Sequence, residues 1–501
     1  MNANPQNQSI MPFQRSASPV RAILDRVFVS VGRVVTLTLT GLLGATTAHT
    51  ADTTPAPPNI VFILADDMGY GDVSCYGRPD FRTPAIDQIA ANGMRFTQAC
   101  ASSPVCSASR TALMTGRHQE RLRVGLEEPI AGGQSADIGL PPDHPTLPSL
   151  LRQAGYRTML IGKWHLGKPP NFGPLQSGYD HFYGFRAGAT DYFLRGDDFW
   201  SDDTPIHPDG YLTDLLGQRA VEAIDDFAKS KAPFLISLHF NAPHWPWEGP
   251  GDEAESKRLY DGRLSREHFD GGSQKTYREM IEAMDRQINR VLTALEAHGL
   301  TENTIVIFSS DNGGERFSYN WPFTGLKAEL LEGGLRVPAV VAWPAKIPAG
   351  RTSDQVLVTM DWLPTLLAAA GTAPDLKYPS DGMNLLPQLT SDTPPVARQV
   401  FWRFKANAQQ AVRDGDLKYL KINENTFLFD LGADPMERAN LKERRKDDYQ
   451  RLERAWFAWH STMLPLIDES YTDAFSAEQL ADHIGAKTPT SKAGQPQPPK
   501  H

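Results

Sequence analysis

The sequence predicts an α/β protein, a mainly parallel sheet flanked by helices, followed by a small α+β domain. Three observations predict it. Short apolar runs bounded by polar residues recur through the first part of the chain, as strands buried on both faces require. Segments with helical spacing lie between them, which is the order of a parallel sheet with crossover helices. After about residue 385 the pattern changes to short strands with tight turns.

Residues 1–51 read as an export segment. Arg15, Arg21, Arg26 and Arg33 stand against the single acid Asp25, and an apolar run over 34–44 follows that is too short to span a bilayer. Ala45, Ala48 and Ala51 then offer small residues for cleavage. A Pro-rich linker leads to the run at 59–65, which reads as the first buried strand. Similar runs at 158–161, 234–240, 304–308 and 337–342 extend the sheet. The clearest helix covers 274–298, with Ile281, Met284, Ile288, Val291 and Leu295 on one face and Gly299 at its end. Residues 144–155 form a second helical lead-in, to the strand at 158. Beyond 385, segments 411–421 and 426–430 read as antiparallel strands, and 442–463 as a charged helix. The expected organisation is an α/β domain over 58–385, a small α+β domain over 386–470 and a largely disordered tail over 471–501.

Composition excludes some function classes. The 501 residues are 40% hydrophobic and 22% charged, as in an ordinary globular protein, and no segment after the export signal reads as transmembrane. Net charge is -9; residues 1–50 contribute four Arg minus one acid, +3, so the remainder carries -12. Such a chain is a poor partner for nucleic acid, and an anionic substrate would need clustered cations or a metal. The three cysteines, Cys75, Cys100 and Cys106, are no disulfide framework; Cys75 and Cys100 either pair or remain buried thiols.

The residues that carry chemistry sit at strand ends. Asp66 and Asp67 follow the first strand, where open parallel sheets place ligands. Adjacent carboxylates repel unless a cation is present, and a hard divalent ion favours oxygen ligands. Asp311 and Asn312 repeat the arrangement after the strand at 304. Arg110 lies four residues after Cys106, one helical turn away, and so sets a cation near the thiol or its product. Lys163 and His165 share one face if the chain stays extended, supplying a cation and a proton-transfer group. His244 follows the strand at 234, and Lys327 lies in a Gly-flanked loop. His239, on a strand, is assigned to the core.

Together these motifs resemble the sulfatase family. Cys106-x-Ala-Ser-Arg110-x-x-Leu113-x-Thr115-Gly116 is similar to its first signature and Gly155-Tyr156-x-Thr158-x-x-Ile161-Gly162-Lys163-Trp164-His165 to its second. Asp66-Asp67, Asp311-Asn312 and Lys327 match in order and spacing, and the layout is most similar to arylsulfatase A and N-acetylgalactosamine-6-sulfatase types. The resemblance implies an alkaline-phosphatase-like fold and a sulfuric ester hydrolase acting on sulfated small molecules or glycans, in the periplasm or outside the cell. It implies that Cys106 is oxidised to formylglycine by a maturation enzyme. One hydroxyl of the hydrated aldehyde attacks sulfur and the other then expels sulfate. It implies calcium, with magnesium as the alternative, on Asp66, Asp67, Asp311, Asn312 and residue 106. Asp311 is then also the base. Arg110 and Lys163 hold the nucleophile and sulfate, His165 assists release, and His244 and Lys327 contact sulfate and protonate the leaving oxygen. One departure stands out, since Ala108 replaces the usual Pro of the first signature. Phe199, Trp200, Trp245, Trp247, Trp321 and Phe323 fall near the expected rim, either to stack on sugar faces or to pack. Two other readings use the same residues: a phosphonate or phosphodiester hydrolase of this fold, and a non-catalytic glycan-binding relative.

Overall fold

The computed structural model describes residues 56–131, 136–472 and 475. The export segment and most of the 471–501 tail lie outside the described residues. A ten-stranded sheet pairs in the order Arg351–Ser353, Met94–Phe96, Ala339–Ala342, Thr304–Ser310, Asn59–Ala65, Phe234–His239, Arg157–Lys163, His181–Phe185, Trp200–Ser201, Thr204–Pro205. The five strands from Thr304–Ser310 to His181–Phe185 run parallel. The run at 337–342 differs from its neighbours. It pairs antiparallel with Thr304–Ser310 and starts only at Ala339, because Pro338 has no N–H to give to a ladder.

The pleat explains why the central runs are apolar throughout. In the first strand Val61, Ile63 and Ala65 face one cluster, while Ile60, Phe62 and Leu64 face another. Helices Pro84–Ala91, Leu212–Phe227 and Gln274–Ala297 cover the first face, and Cys106–Thr115, Leu147–Gln153 and Trp362–Ala369 the second. The predicted stripe of Gln274–Ala297 is buried in full. Ser273 caps its start by accepting the Thr276 amide, and Gly299, at φ +64, takes the left-handed turn beyond its end.

The C-terminal region forms its own four-stranded antiparallel sheet: Gln399–Phe404, Gln409–Asp414, Leu417–Ile422 and Asn425–Asp430. Segment 411–421 is thus two strands, turned at Gly415, and Gln399–Phe404 is a strand the sequence reading left out. The charged helix runs Lys446–His460, shorter than 442–463. Trp402, Leu420 and Phe429 of this sheet pack with Val105, Ala108 and Ala112, so the sheet braces the back of helix Cys106–Thr115. The Trp402 indole N–H donates to the Ala101 carbonyl at 2.9 Å. Buried Lys418 bridges Glu332 and Glu437, each at 2.8 Å. Cys75, Cys100 and Cys106 are all free thiols. Among the described residues, no helix is long and apolar enough to cross a membrane.

Candidate active site

The carboxyl ends of four parallel strands meet at one buried pocket. Asp66 and Asp67 leave the strand Asn59–Ala65, Lys163 ends Arg157–Lys163, Asp311 and Asn312 follow Thr304–Ser310, and His244 follows Phe234–His239. Helix Cys106–Thr115 points its first residue at the same place. The Cys106 sulfur lies 3.4 Å from Asp66 Oδ1 and 3.8 Å from Asp67 Oδ1. Arg110, one turn on, donates from Nε to Asp311 Oδ2 at 2.9 Å and from Nη1 to the Lys163 carbonyl at 3.1 Å. Lys163 Nζ reaches Asp66 Oδ2 at 2.5 Å and Lys327 Nζ reaches Asp67 Oδ2 at 2.6 Å.

Three carboxylates (Asp66, Asp67, Asp311) therefore face three cations (Arg110, Lys163, Lys327), so the cluster is balanced at 3 - 3 = 0. The imbalance is in the neutral donors. Asn312 donates from Nδ2 to Asp67 Oδ1 at 2.7 Å and to the Gly313 carbonyl, leaving its Oδ1 buried with no partner. Ligand atoms of Asp66, Asp67, Cys106 and His244 lie within 4.8 Å of one another, and with the orphaned amide oxygen of Asn312 nearby they make a donor set suited to a hard divalent cation.

Electrostatics follow from burial. Burial alone would raise the Asp67 carboxyl, but Lys327, His244 and Lys163 outweigh it and hold it well below the carboxylate range. Asp311 is pushed up to about 6 by burial and by Asp66. Burial and the Asp66 carboxylate push the Cys106 thiol well up, so the unmodified residue is a thiol and a weak nucleophile. Burial, with Lys327 and Lys163, pushes His244 down to about 3 despite Asp67. His244 Nδ1 lies 2.6 Å from the Trp245 carbonyl and so carries the proton, which leaves Nε2, 3.5 Å from Asp67 Oδ2, as the atom facing the cluster. Burial and Lys163 push His165 well down.

The backbone is forced here. Asp67 (φ 61), His165 (φ 61) and Ala328 (φ 67) are left-handed without being glycine, and such residues concentrate at functional sites. The chain does not stay extended through His165, as the sequence reading supposed. It turns, and His165 is held by the Ile130 carbonyl 3.1 Å from its Nε2. Gly162, at φ +108, is fixed by a close approach, since a Cβ there would lie 1.9 Å from the His239 carbonyl oxygen.

Above this floor opens a cavity of about 730 Å³, lined by Cys106, His165, His244, Trp245, Glu315 and Lys327 among others. Of the six aromatic residues expected at the rim, Trp245 lines the cavity. Phe199 and Trp247 are core, Phe323 packs half-buried against Tyr70, Trp200 lines a neighbouring cavity, and Trp321 stands out in solvent. Sequence reasoning also missed residues. His239 is in the core, as expected, but its Nδ1 lies 3.4 Å from Arg110 Nη1 and so borders the site. Glu315, three residues after Asn312, is buried in the cavity wall and burial pushes it up to about 8.

A second buried cluster, Asp191, Glu248 and His268, ties together the segments that supply Ala189, Trp245 and Phe269 to the cavity. The Ser265 amide donates to His268 Nδ1 at 3.0 Å, which places the imidazole proton on Nε2, 3.8 Å from Asp191 Oδ2. The remaining lone pair, on Nδ1, is taken by the Ser265 amide. Burial and then Asp191 push Glu248 up to about 9, so the Glu248 carboxyl keeps its proton beside the Asp191 carboxylate.

Fold and pocket together define an α/β protein with a pocket, floored by carboxylates and cations, at the carboxyl edge of a parallel sheet. The family profile Sulfatase matches residues 58–372, and the profile for N-sulphoglucosamine sulphohydrolase, C-terminal, matches 326–455. The chain belongs to the sulfatase family, and with it to the sulfuric ester hydrolases. It is 34% identical to N-acetylgalactosamine-6-sulfatase of Canis lupus familiaris over 367 residues, 67% of this chain and 66% of the canine protein. It is 32% identical to arylsulfatase A of Bos taurus over 450 residues, 77% of this chain and 83% of the bovine one. The crystal structure of Ps i-CgsB in complex with k-i-k-neocarrahexaose superposes with a TM-score of 0.73 at 28% identity, covering 86% of this chain and 98% of that one.

Proposed function

We propose that this protein hydrolyses sulfate esters of carbohydrates, using residue 106 matured from cysteine to formylglycine and a divalent cation, calcium or magnesium, held by Asp66, Asp67, Asp311 and Asn312. The observation that carries the reading is the unpartnered Asn312 Oδ1 among three carboxylates, with Cys106 3.4 Å from one of them. The carbohydrate class is supported by similar proteins, one named for N-acetylgalactosamine 6-sulfate and one crystallised with k-i-k-neocarrahexaose.

A bound divalent cation supplies a Lewis acid for a sulfate oxygen, and the hydrated aldehyde at residue 106 supplies the attacking hydroxyl. The chain's own residues do the rest. With the charges of the floor balanced, a divalent cation leaves it at +2, enough to draw an anion into a protein of net charge -9. Arg110, Lys163 and Lys327 then have cationic donors to spare for sulfate oxygens. Asp311 is the carboxylate that takes the nucleophile's proton. His165, which lines the same cavity as residue 106, assists its reset, and His244 Nε2 faces the leaving oxygen. Helix Cys106–Thr115 adds its N-terminal dipole at residue 106, where negative charge develops. The Arg-rich start and the apolar run over 34–44 support export, and in this reading a maturation enzyme acts on the Cys106 segment before the chemistry proceeds outside the cytoplasm.

Protein purified from its own host tests the reading. The peptide holding residue 106 is expected to weigh about 18 Da less than the cysteine form. The protein should release sulfate from sulfated sugars faster than phosphate from aryl phosphates, and Cys106→Ala should release none. An unmodified thiol in fully active protein would refute the nucleophile assignment.

A further inference from the structure

Glu315 has no place in the chemistry above, yet its position is unusual. It is 4% exposed and lines the cavity shared by Cys106, His165, His244 and Lys327. Neither of its carboxylate oxygens has a hydrogen-bond partner. The nearby cations are engaged elsewhere: Lys327 Nζ is on Asp67 at 2.6 Å, and Arg316 donates to the Phe269 carbonyl at 2.7 Å and stacks over Trp247. The loop itself is fixed, because the Ser318 amide and hydroxyl both donate to the Glu315 carbonyl. A buried carboxyl group with neither oxygen partnered is costly unless a ligand completes it.

We propose that Glu315 is a specificity-determining residue whose carboxyl group receives ring hydroxyls of the sugar that carries the sulfate ester. The proposal rests on the sulfate-ester reading above and names what selects the alcohol. Two neighbouring hydroxyls on a pyranose ring present two O–H donors at a spacing that suits the two carboxyl oxygens. An aryl or steroid sulfate has no such pair, so binding it leaves Glu315 buried and unpaired. A site built around a substrate hydroxyl discriminates strongly against analogues that lack it, far more than an apolar pocket does.

The test compares wild type, Glu315→Ala and Glu315→Gln on two kinds of probe. One is a panel of hexose monosulfates sulfated at each ring position; the other is 4-nitrophenyl sulfate. Wild type should favour at least one hexose sulfate in kcat/KM. Glu315→Ala should lose at least about 100-fold on that sugar while staying within about threefold on the aryl ester. Glu315→Gln, whose amide still bonds hydroxyls, should recover much of the loss on the sugar. Equal losses on sugar and aryl esters would mean that Glu315 serves the common chemistry as a counter-ion of Lys327, and would overturn the role. No loss on either, or a wild type that favours no hexose sulfate, would overturn it too. A wild type that frees sulfate from no ester at all would overturn the sulfate-ester reading itself.

Discussion

At the residue scale, proton inventory decides what each group can do. His244 holds its proton on Nδ1 against the Trp245 carbonyl and burial keeps the ring neutral, so to protonate a leaving oxygen it must first gain a second proton, on Nε2, which the negative charge of a bound sulfate ester would favour. Its contribution should therefore grow with the basicity of the leaving oxygen. We expect His244→Ala to slow alkyl or sugar sulfates by roughly 10²-fold or more and activated aryl sulfates much less. Equal loss on both, in steady-state kinetics, would remove His244 from leaving-group protonation. The ten residues picked from the sequence line one pocket or its floor, and they were legible because they fall in short motifs of polar, charged or nucleophilic types at strand ends, at the start of helix Cys106–Thr115 or in a glycine-flanked loop. Glu315 also follows a glycine pair, but so placed it looks like any charged loop residue. Its interest comes from being buried and unpartnered, which depends on chain far away in sequence. The aromatic rim failed for a related reason: Phe199 and Trp247 face inward, and a ring's type does not reveal its side of the loop.

Elements set the next scale, and here two strand ends and three loops matter. The carboxylates of Asp66–Asp67 and Asp311 come from neighbouring strands, so a divalent ion between them should tie those strand ends together. Removing metal with a chelator is expected to lower the melting temperature, and calcium or magnesium at about 100 times its dissociation constant should restore about 2.7 kcal/mol. An unchanged melting temperature in verified metal-free protein would argue against that ligand set. The Asp191, Glu248 and His268 cluster gives a pH prediction. Glu248 rises from an ordinary 4.5 to about 9 in the fold, so the native state holds the extra proton across that window. Stability then falls as pH rises from about 4.5 to about 9, because the unfolded state has already released the proton. Melting curves across that range should show the slope, and Glu248→Gln, which cannot ionise, should flatten it. The central strands were legible because both faces are buried, which demands continuous apolar runs. Strand Gln399–Phe404 was not. It sits in a small sheet braced on one side, where its alternation is broken by Trp402, Arg403 and Phe404, all buried.

For the whole molecule, the C-terminal sheet and the nucleophile helix form one packed body, and the charges between them are sealed. Lys418 is fully buried between Glu332 and Glu437. Lys418→Ala would strand two carboxylates and should cost about 3–5 kcal/mol, measured by denaturant unfolding. Because the same sheet backs Val105 and Ala108, activity should fall with it, although no catalytic group is touched. That coupling was invisible in the sequence, where a change of pattern near 385 read as the start of a separate unit.

The bonds that close the pocket span long stretches of chain: Cys106 to Asp66 across 40 residues, Asn312 to Asp67 across 245, and Lys327 to Asp67 across 260. As the polypeptide is made, Lys327 emerges 327 - 106 = 221 residues after Cys106. At about 5–20 residues per second, that delay is roughly 10–40 s. Residue 106 is 2% exposed once folded, so the proposed maturation would need that interval to reach it. On that proposal the length of chain between the two residues would work as a clock, ending when Lys327 reaches Asp67.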